Sequence, residues 1–272
     1  MPSNTEITVS QLLRLTGLPD APSILDVRTA EDFAGDPRLL PAATRHDATT
    51  LPARAAEWRG QHVVVVCRHG RKISQGAAAW LRHAGARAET LDGGFEAWCA
   101  AGGPLIPAAA IPPGDAQGRT VWVTRARPKV DRTACPWLIR RFVDPRAVFL
   151  FVAAAEVGAV AERFGATPFD IEGCHWSHRG ERCTFDAMVE AFGLSSPAME
   201  RLATIIRGAD TARLDLAPQA AGFLAAALGF SRMFRDDLAQ LDACMPLYDA
   251  LYRWSRDAAD ETHDWPSPGA RA

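Results

Sequence analysis

The chain has 272 residues, of which 48% are hydrophobic and 23% are charged, and its formal net charge at pH 7 is −2. This length suffices for two ordinary domains with buried cores, and the balanced charge argues against a nucleic-acid-binding protein. Residues 1–10 lack the apolar core of a secretion signal, and no segment approaches the roughly 20 apolar residues that a membrane helix needs. The sequence therefore predicts a soluble, cytoplasmic protein without membrane partners.

Residues 1–103 alternate strand patterns with helical patterns. Strands are predicted at 23–27, 63–66 and 88–91. Helices are predicted at 9–15 with Ser10 as the cap, from residue 30, at 73–84 and at 95–101. This alternation indicates an α/β domain with a parallel sheet and helices on both faces.

Residues 104–119 are rich in proline, glycine and alanine, which is typical of a linker. Beyond them the sequence predicts strands at 120–124 and 147–152 and helices at 136–143, 154–164, after the cap Thr184, and at 196–208, 220–234 and 237–254. Residues 120–262 should therefore form a mostly helical α/β (α+β) domain, and residues 263–272 a flexible tail. The apolar face of the last two helices is expected to form core or a homodimer surface.

Cys67 lies where a buried strand meets a helix. It follows Val63-Val64-Val65-Val66 and opens the loop Cys67-Arg68-His69-Gly70-Arg71-Lys72. A helix N-terminus and nearby cations favour a thiolate, and backbone N–H groups without helical partners favour a bound anion. The loop therefore predicts a nucleophilic sulfur in an anion-binding site, suited to sulfur, phosphate or arsenate chemistry. Asp26 and Arg28, at the end of a neighbouring strand, are expected to brace this loop by an ion pair.

Three motifs in this region resemble those of the rhodanese family of sulfurtransferases. They are Leu25-Asp26-Val27-Arg28, the six-residue loop from Cys67 to Lys72, and Leu91-Asp92-Gly93-Gly94-Phe95-Glu96-Ala97-Trp98. The resemblance implies that Cys67 carries a persulfide and that Arg68, His69, Gly70, Arg71 and Lys72 hold an anionic donor such as thiosulfate. It implies no cofactor for sulfur transfer. Leu40-Pro41-Ala42-Ala43 departs from the family, which usually has a Gly-His-Ile-Pro-Gly-Ala-like turn there.

Residues 120–215 resemble the C-terminal domain of chromate-resistance proteins of the ChrB type. The motifs that carry the resemblance run from Val130 to Phe142, from Thr167 to Asp170, from His178 to Asp186 and from Arg207 to Thr211. The resemblance implies an association with chromate resistance, as a sensor or regulator. Those proteins usually have a different N-terminal region, so a DNA-binding regulatory role is not expected for this chain.

The charged residues of this second region leave three interpretations open. The candidate site residues are Asp131, Arg132, Cys135, His178, Arg179, Cys183, Asp186 and Asp210. Arg132, Arg179, Arg182 and Arg207 could form an oxyanion site for chromate or sulfate. Asp131, His178, Asp186 and Asp210 could bind iron, manganese or zinc. The third interpretation is an internal network of ion pairs with Cys135 and Cys183 buried. Because Cys135 precedes Pro136, it is also predicted to cap a helix with a lowered thiol pKa.

Two functions from different classes follow. The first is a sulfurtransferase that forms a Cys67 persulfide, is linked to chromate resistance or oxyanion stress, and passes sulfur to a thiol acceptor that the sequence does not identify. The second is a non-catalytic chromate or oxyanion sensor. The loop length argues against a phosphatase, whose loop is one residue longer in the related family. The lack of a resolving cysteine near Cys67 argues against an arsenate reductase.

Overall fold

The structure is a computed structural model that describes residues 5–262. The tail predicted at 263–272 lies outside these residues. Every helix between residues 5 and 262 is too short or too polar to cross a membrane. All six cysteines are free thiols.

Five parallel strands form the sheet of the N-terminal region, which confirms the predicted α/β architecture. They are β1 (Glu6–Ile7), β2 (Ser23–Asp26), β4 (Ala43–Arg45), β5 (His62–Val66) and β6 (Arg87–Leu91), while β3 (Arg38–Leu39) lies outside this sheet. The strand order is β1-β6-β5-β2-β4. Strand β5 is therefore central, and its four valines are fully buried.

Helices cover both faces of this sheet. They are α1 (Val9–Leu15), α2 (Ala30–Gly35), α3 (Leu51–Arg54), α4 (Lys72–His83) and α5 (Gly94–Ala100). Val63 and Val65 pack with Leu81 on one face, whereas Val64 and Val66 pack with Trp98 on the other. Alternate side chains of a strand point to opposite faces, so one valine run serves both cores.

The first helix has the predicted bounds, but its cap lies two residues before the predicted one. Thr8, not Ser10, is the N-cap: its hydroxyl accepts from the Gln11 N–H at 3.2 Å, and the Gln11 side chain accepts from the Thr8 N–H at 2.9 Å. This reciprocal arrangement satisfies two backbone donors, which a cap at Ser10 would leave without partners.

The segment 104–119 is structured and contacts both regions. Strand β7 (Ile106–Pro107) pairs antiparallel with β3, and the Trp98 indole donates to the Pro104 carbonyl at 3.0 Å. Ile106 is buried in the core of the C-terminal region. The predicted linker therefore packs against both regions along its first half.

The C-terminal region has a small parallel sheet and a helical core. Its strands are β8 (Val121–Arg125), β9 (Val148–Val152) and β10 (Thr167–Pro168), in the order β10-β8-β9. Its helices are α6 (Asp131–Leu138), α7 (Val157–Phe164), α8 (Thr184–Ala191), α9 (Pro197–Asp210), α10 (Ala220–Met233) and α11 (Asp237–Asp257). The fully buried Trp137 ring packs among Phe142, Phe185 and Tyr248 at the centre of this core.

Two predicted helix starts in this region were wrong. Helix α6 begins at Asp131, so Pro136 lies inside it and Cys135 caps nothing. The early start is held by the Val130 carbonyl, which accepts from the Tyr248 hydroxyl and the Thr133 hydroxyl, both at 3.0 Å. Helix α8 is capped by Cys183 and not by Thr184.

Candidate functional site

Cys67 follows the last residue of β5, at the foot of the loop that leads into α4. Its side chain is buried, with the residue 5% exposed. The sulfur lies 3.1 Å from the Ser74 hydroxyl and 3.7 Å from the Arg71 carbonyl. The thiol is therefore held beneath its own loop, against the first turn of α4.

Two glycines allow this loop to lie directly on the start of α5. Gly70 and Gly94 have φ of 68° and 63°. A Cβ on Gly70 would lie 2.4 Å from the Leu91 carbonyl oxygen, and one on Gly94 would lie 2.3 Å from the Cys67 carbonyl oxygen. The Phe95 N–H donates to that Cys67 oxygen at 3.0 Å. The third rhodanese-like motif thus fixes the backbone of the cysteine loop.

The cations of the loop divide into paired and unpaired groups. Arg68 contacts Glu96 at 2.7 Å and Asp32 at 3.3 Å, and His69 lies 3.1 Å from Glu96. Hydrogen bonding to Arg68 lowers the pKa of Glu96 below its usual value. The exposed side chains of Arg71 and Lys72 form no ion pair with any residue in 5–262. Of the loop's arginine and lysine side chains, Arg68 is paired, whereas Arg71 and Lys72 are therefore free to bind an anion.

Asp26 and Arg28 form the predicted ion pair, but they support the loop indirectly. The Arg28 Nη2 atom lies 2.5 Å from the Asp26 Oδ2 atom, and both side chains are 1% exposed. Arg28 also donates to the carbonyls of Asp36 and Arg38, and its guanidinium carbon lies 3.7 Å from the centre of the Phe95 ring. The pair therefore fixes Phe95, whose N–H holds the loop.

In the C-terminal region one imidazole faces three carboxylates. Asp131 is the first residue of α6, Asp170 follows β10, and Asp210 is the last residue of α9. The His178 Nε2 atom lies 3.1 Å from an Asp210 oxygen, 3.5 Å from an Asp170 oxygen and 3.6 Å from an Asp131 oxygen. We call these four residues the carboxylate cluster.

The carboxylates of the cluster differ in their partners. Arg125 and Arg132 lie 3.4 and 3.3 Å from Asp170. Asp131 and Asp210 have no arginine or lysine partner among the residues that the structure describes. Burial, together with the charges of Asp210 and Asp170, raises the pKa of Asp131 well above its usual value. Burial and Asp170 likewise raise the pKa of Asp210. Asp131 and Asp210 therefore resist losing their protons unless a cation balances their charge.

The backbone around the cluster is strained. Arg127, Val130 and Asp170 have φ of 58°, 38° and 51°, and they are three of the five non-glycine residues with positive φ in 5–262. Such a conformation is unusual for a β-branched residue such as Val130. Strain of this kind persists where surrounding contacts enforce it, and it is common at functional sites.

Three residues of the predicted metal set lie together in the structure, and the fourth does not. Asp131, His178 and Asp210 meet, but Asp186 contacts Arg207 at 2.8 Å and accepts from the Cys183 N–H at 3.0 Å. Asp186 therefore serves an ion pair and a helix cap. Asp170 was missed as a candidate, although it ends the motif Thr167-Pro168-Phe169-Asp170, which carries part of the resemblance to the ChrB family.

The four arginines of the predicted oxyanion site do not converge. Arg132 contacts Asp170, Arg182 contacts Glu190 at 2.6 Å, and Arg207 contacts Asp186. The exposed side chain of Arg179 makes one long hydrogen bond within residues 5–262, to the His175 carbonyl. Since three of the four are neutralised by separate carboxylates, they do not form an anion site.

The two candidate cysteines of this region are buried thiols. Cys135 and Cys183 are both 0% exposed. Burial raises the pKa of Cys135 well above its usual value, so the predicted lowering was wrong. Burial and nearby Asp131 also raise the pKa of Cys183. Both sulfurs are therefore protonated, as the interpretation of buried structural cysteines expected.

Comparison with known proteins identifies both regions. Residues 8–101 match the family model of the rhodanese-like domain, and residues 122–255 match that of the ChrB C-terminal domain. The chain therefore joins a rhodanese-like domain to a ChrB C-terminal domain. It is 34% identical to Protein ChrB of Cupriavidus metallidurans over 198 residues, which are 69% of this chain and 59% of that protein.

Solved structures resemble about a third of the chain. A rhodanese-related protein from Thermoplasma volcanium is 22% identical, with a TM-score of 0.33, and the match covers 37% of this chain and 96% of that one. A rhodanese-like domain protein from Staphylococcus aureus is 26% identical, with a TM-score of 0.31, and the match covers 35% of this chain and 90% of that one.

Proposed function

We propose that the protein is a sulfurtransferase that carries sulfane sulfur as a persulfide on Cys67, in a cytoplasmic response to chromate or related oxyanions. The supporting observation is the position of the sulfur at the start of α4, beside the unpaired cations Arg71 and Lys72. In this proposal residues 1–103 carry the reaction, residues 104–119 connect the domains, and residues 120–262 supply a separate site.

The reaction with thiosulfate would proceed in two displacements. The Cys67 thiolate attacks the sulfane sulfur, a new S–S bond forms, and sulfite leaves with the electron pair of the broken bond. A thiolate acceptor then attacks the outer sulfur, which releases Cys67 and yields the acceptor persulfide. Arg71 and Lys72 would hold the dianionic donor by charge. The Ser74 hydroxyl, which donates to the Arg71 carbonyl at 2.9 Å and lies 3.1 Å from the sulfur, would turn to donate to the Cys67 thiolate.

Intact mass after thiosulfate treatment tests this proposal. The wild-type protein should gain the mass of one sulfur atom, and Cys67→Ser should gain none. Cys99→Ser is the matched control, because Cys99 is a half-buried thiol in α5 of the same domain. The control should load sulfur like the wild type. Sulfur loading that persists in Cys67→Ser would disprove the assignment.

A sensor is the second candidate, and the low exposure of Cys67 favours it. A thiol that is 5% exposed could remain covered while an anion binds to Arg71 and Lys72 above it. This function predicts no mass gain but a higher melting temperature in chromate or thiosulfate, since a ligand that binds only the folded state stabilises it.

A further inference from the structure

We propose that the carboxylate cluster of the ChrB domain binds a divalent metal ion of the manganese or iron class through Asp131, Asp170, Asp210 and His178. The site is independent of sulfur transfer at Cys67.

The first argument is convergence. One ligand atom each from Asp131, Asp170 and His178 lies within 4.8 Å of the others, and Asp210 contacts the same imidazole nitrogen. The three carboxylates come from the first residue of α6, the loop two residues after β10 and the last residue of α9. Carboxylates brought this close repel one another unless a proton or a cation lies between them.

The second argument is an oxygen atom without a partner. One oxygen of Asp131 accepts the Thr184 N–H at 2.6 Å, but the other is buried and makes no hydrogen bond within residues 5–262. Asp144 is also buried, yet one of its oxygens accepts from Thr120 and the other from the Arg146 N–H. An unpaired buried carboxylate oxygen is costly, and coordination to a metal removes that cost. This oxygen distinguishes the cluster from an ordinary network of ion pairs.

The third argument is the donor chemistry. Arg125 and Arg132 form ion pairs with Asp170, whereas Asp131 and Asp210 have no such arginine ion pair within residues 5–262, so a bound cation would supply the balancing charge for these two carboxylates. Oxygen donors with one imidazole suit manganese and iron, and they fit zinc less well than a cysteine-containing set does. The nearby Cys183 is fully buried at the N-cap of α8. The His178 side chain is 42% exposed, so an ion can enter from its side.

Manganese binding to the full-length protein tests the site. Protein stripped with a chelator should bind one Mn²⁺ per chain in calorimetry. Its addition to Mn²⁺ should reduce the electron paramagnetic resonance signal of the free ion. Bound Mn²⁺ should also raise the melting temperature of the protein. His178→Ala and Asp210→Asn should each weaken binding by more than about tenfold, the loss that even outer-shell partners can cause. The control is Asp242→Asn, because Asp242 is an exposed acid on α11 that pairs with Arg140. This variant should bind Mn²⁺ like the wild type.

Folding and sulfur loading are measured on the same samples. His178 is half-exposed, so its replacement should leave the far-ultraviolet circular dichroism unchanged and should leave sulfur loading on Cys67 intact. Absence of Mn²⁺ and Fe²⁺ binding by the wild type would overturn the proposal. So would equal affinities in His178→Ala, Asp210→Asn and the control. Neither result would affect the assignment of Cys67.

Discussion

The two domains place opposite charges at the same kind of junction. In the first, β5 leads through the Cys67 loop into α4, and the unpaired charges are the exposed cations Arg71 and Lys72. In the second, β8 leads into α6, and the unpaired charge is the buried carboxylate of Asp131. Both folds thus bring polar groups to the carboxyl end of a parallel strand. The sign and burial of the unpaired charge then determine whether the junction suits an anion or a cation.

The two domains also differ in how the carboxylates of their buried aspartates are hydrogen-bonded. Asp26, near the first junction, has both oxygens bonded to Arg28, whereas Asp131 has one oxygen without a partner. A buried charge that is already paired needs no ligand. A buried charge that is unpaired must take up a proton or bind a cation.

The largest expected effect comes from unpairing the first of these acids. Arg28→Met should lower the free energy of unfolding by about 3–5 kcal/mol, because it leaves Asp26 buried without a partner. Arg38→Met is the matched control, since Arg38 pairs with Asp36 near the surface, and it should cost less than about 1 kcal/mol. Urea unfolding followed by tryptophan fluorescence measures both. Equal losses of unfolding free energy in the two variants would mean that the buried ion pair matters no more for stability than the surface pair.

The next effect tests the backbone of the cysteine loop. Gly94→Ala should cost about 3 kcal/mol or more and abolish sulfur loading, because its Cβ would lie 2.3 Å from the Cys67 carbonyl oxygen. Gly102 has a similar φ of 70° with open space around it. Gly102→Ala should therefore cost only about 1–2 kcal/mol and load sulfur normally. Thermal unfolding and intact mass report the two quantities, and similar behaviour of both variants would contradict the expected close packing.

The buried acids of the second domain should respond in opposite directions. In the presence of a chelator, Asp144→Asn should cost about 1–3 kcal/mol, because it disrupts hydrogen bonds from Thr120 and Arg146. Asp131→Asn should be neutral or stabilising by up to about 1 kcal/mol, because it removes charge repulsion and an unpaired oxygen. Chemical unfolding of both variants decides this. A large loss in Asp131→Asn would mean that its carboxylate is well satisfied without a metal.

A smaller effect falls on donor binding. Arg71→Gln and Lys72→Gln should each raise the KM for thiosulfate by about tenfold, the weight of one charge-assisted hydrogen bond, with little change in kcat or stability. The exposed Arg59 lies outside the loop, and Arg59→Gln should leave KM unchanged. Steady-state kinetics with cyanide as the acceptor gives both constants. An unchanged KM in both loop variants would show that these cations do not hold the donor.

The smallest effect is a pH dependence that belongs to neither junction. Burial lowers the pKa of His46 below 6.5, Arg54 and Arg146 lower it further, and Glu57 opposes them. The unfolded chain therefore takes up the proton first, so stability is lost as the pH falls below about 6.5 toward the lowered folded pKa. His46→Gln should show a shallower loss of melting temperature on acidification. If melting temperature falls with pH equally steeply in His46→Gln and in the wild type, the acid sensitivity belongs to other groups.

The sequence predicted the first domain well because its signals are local. A run of valines, a cysteine at the strand end and a glycine pair after the next strand identify β5, Cys67 and the start of α5 without any long-range information. The second domain was predicted less well at its helix starts. Helix α6 begins at Asp131 because Tyr248, on a distant helix, binds the Val130 carbonyl.

Sequence alone therefore determined the two families, the parallel sheet, the position of Cys67 and the set of charged residues from which a second site could be built. Only the tertiary structure decided how those charges are paired. It assigned Arg207 to Asp186, brought Asp170 beside His178 and left one oxygen of Asp131 without a partner. The physical reason is range: hydrophobic periodicity and turn preferences act between neighbours in the chain, whereas the pairing of buried charges depends on segments that meet only after folding.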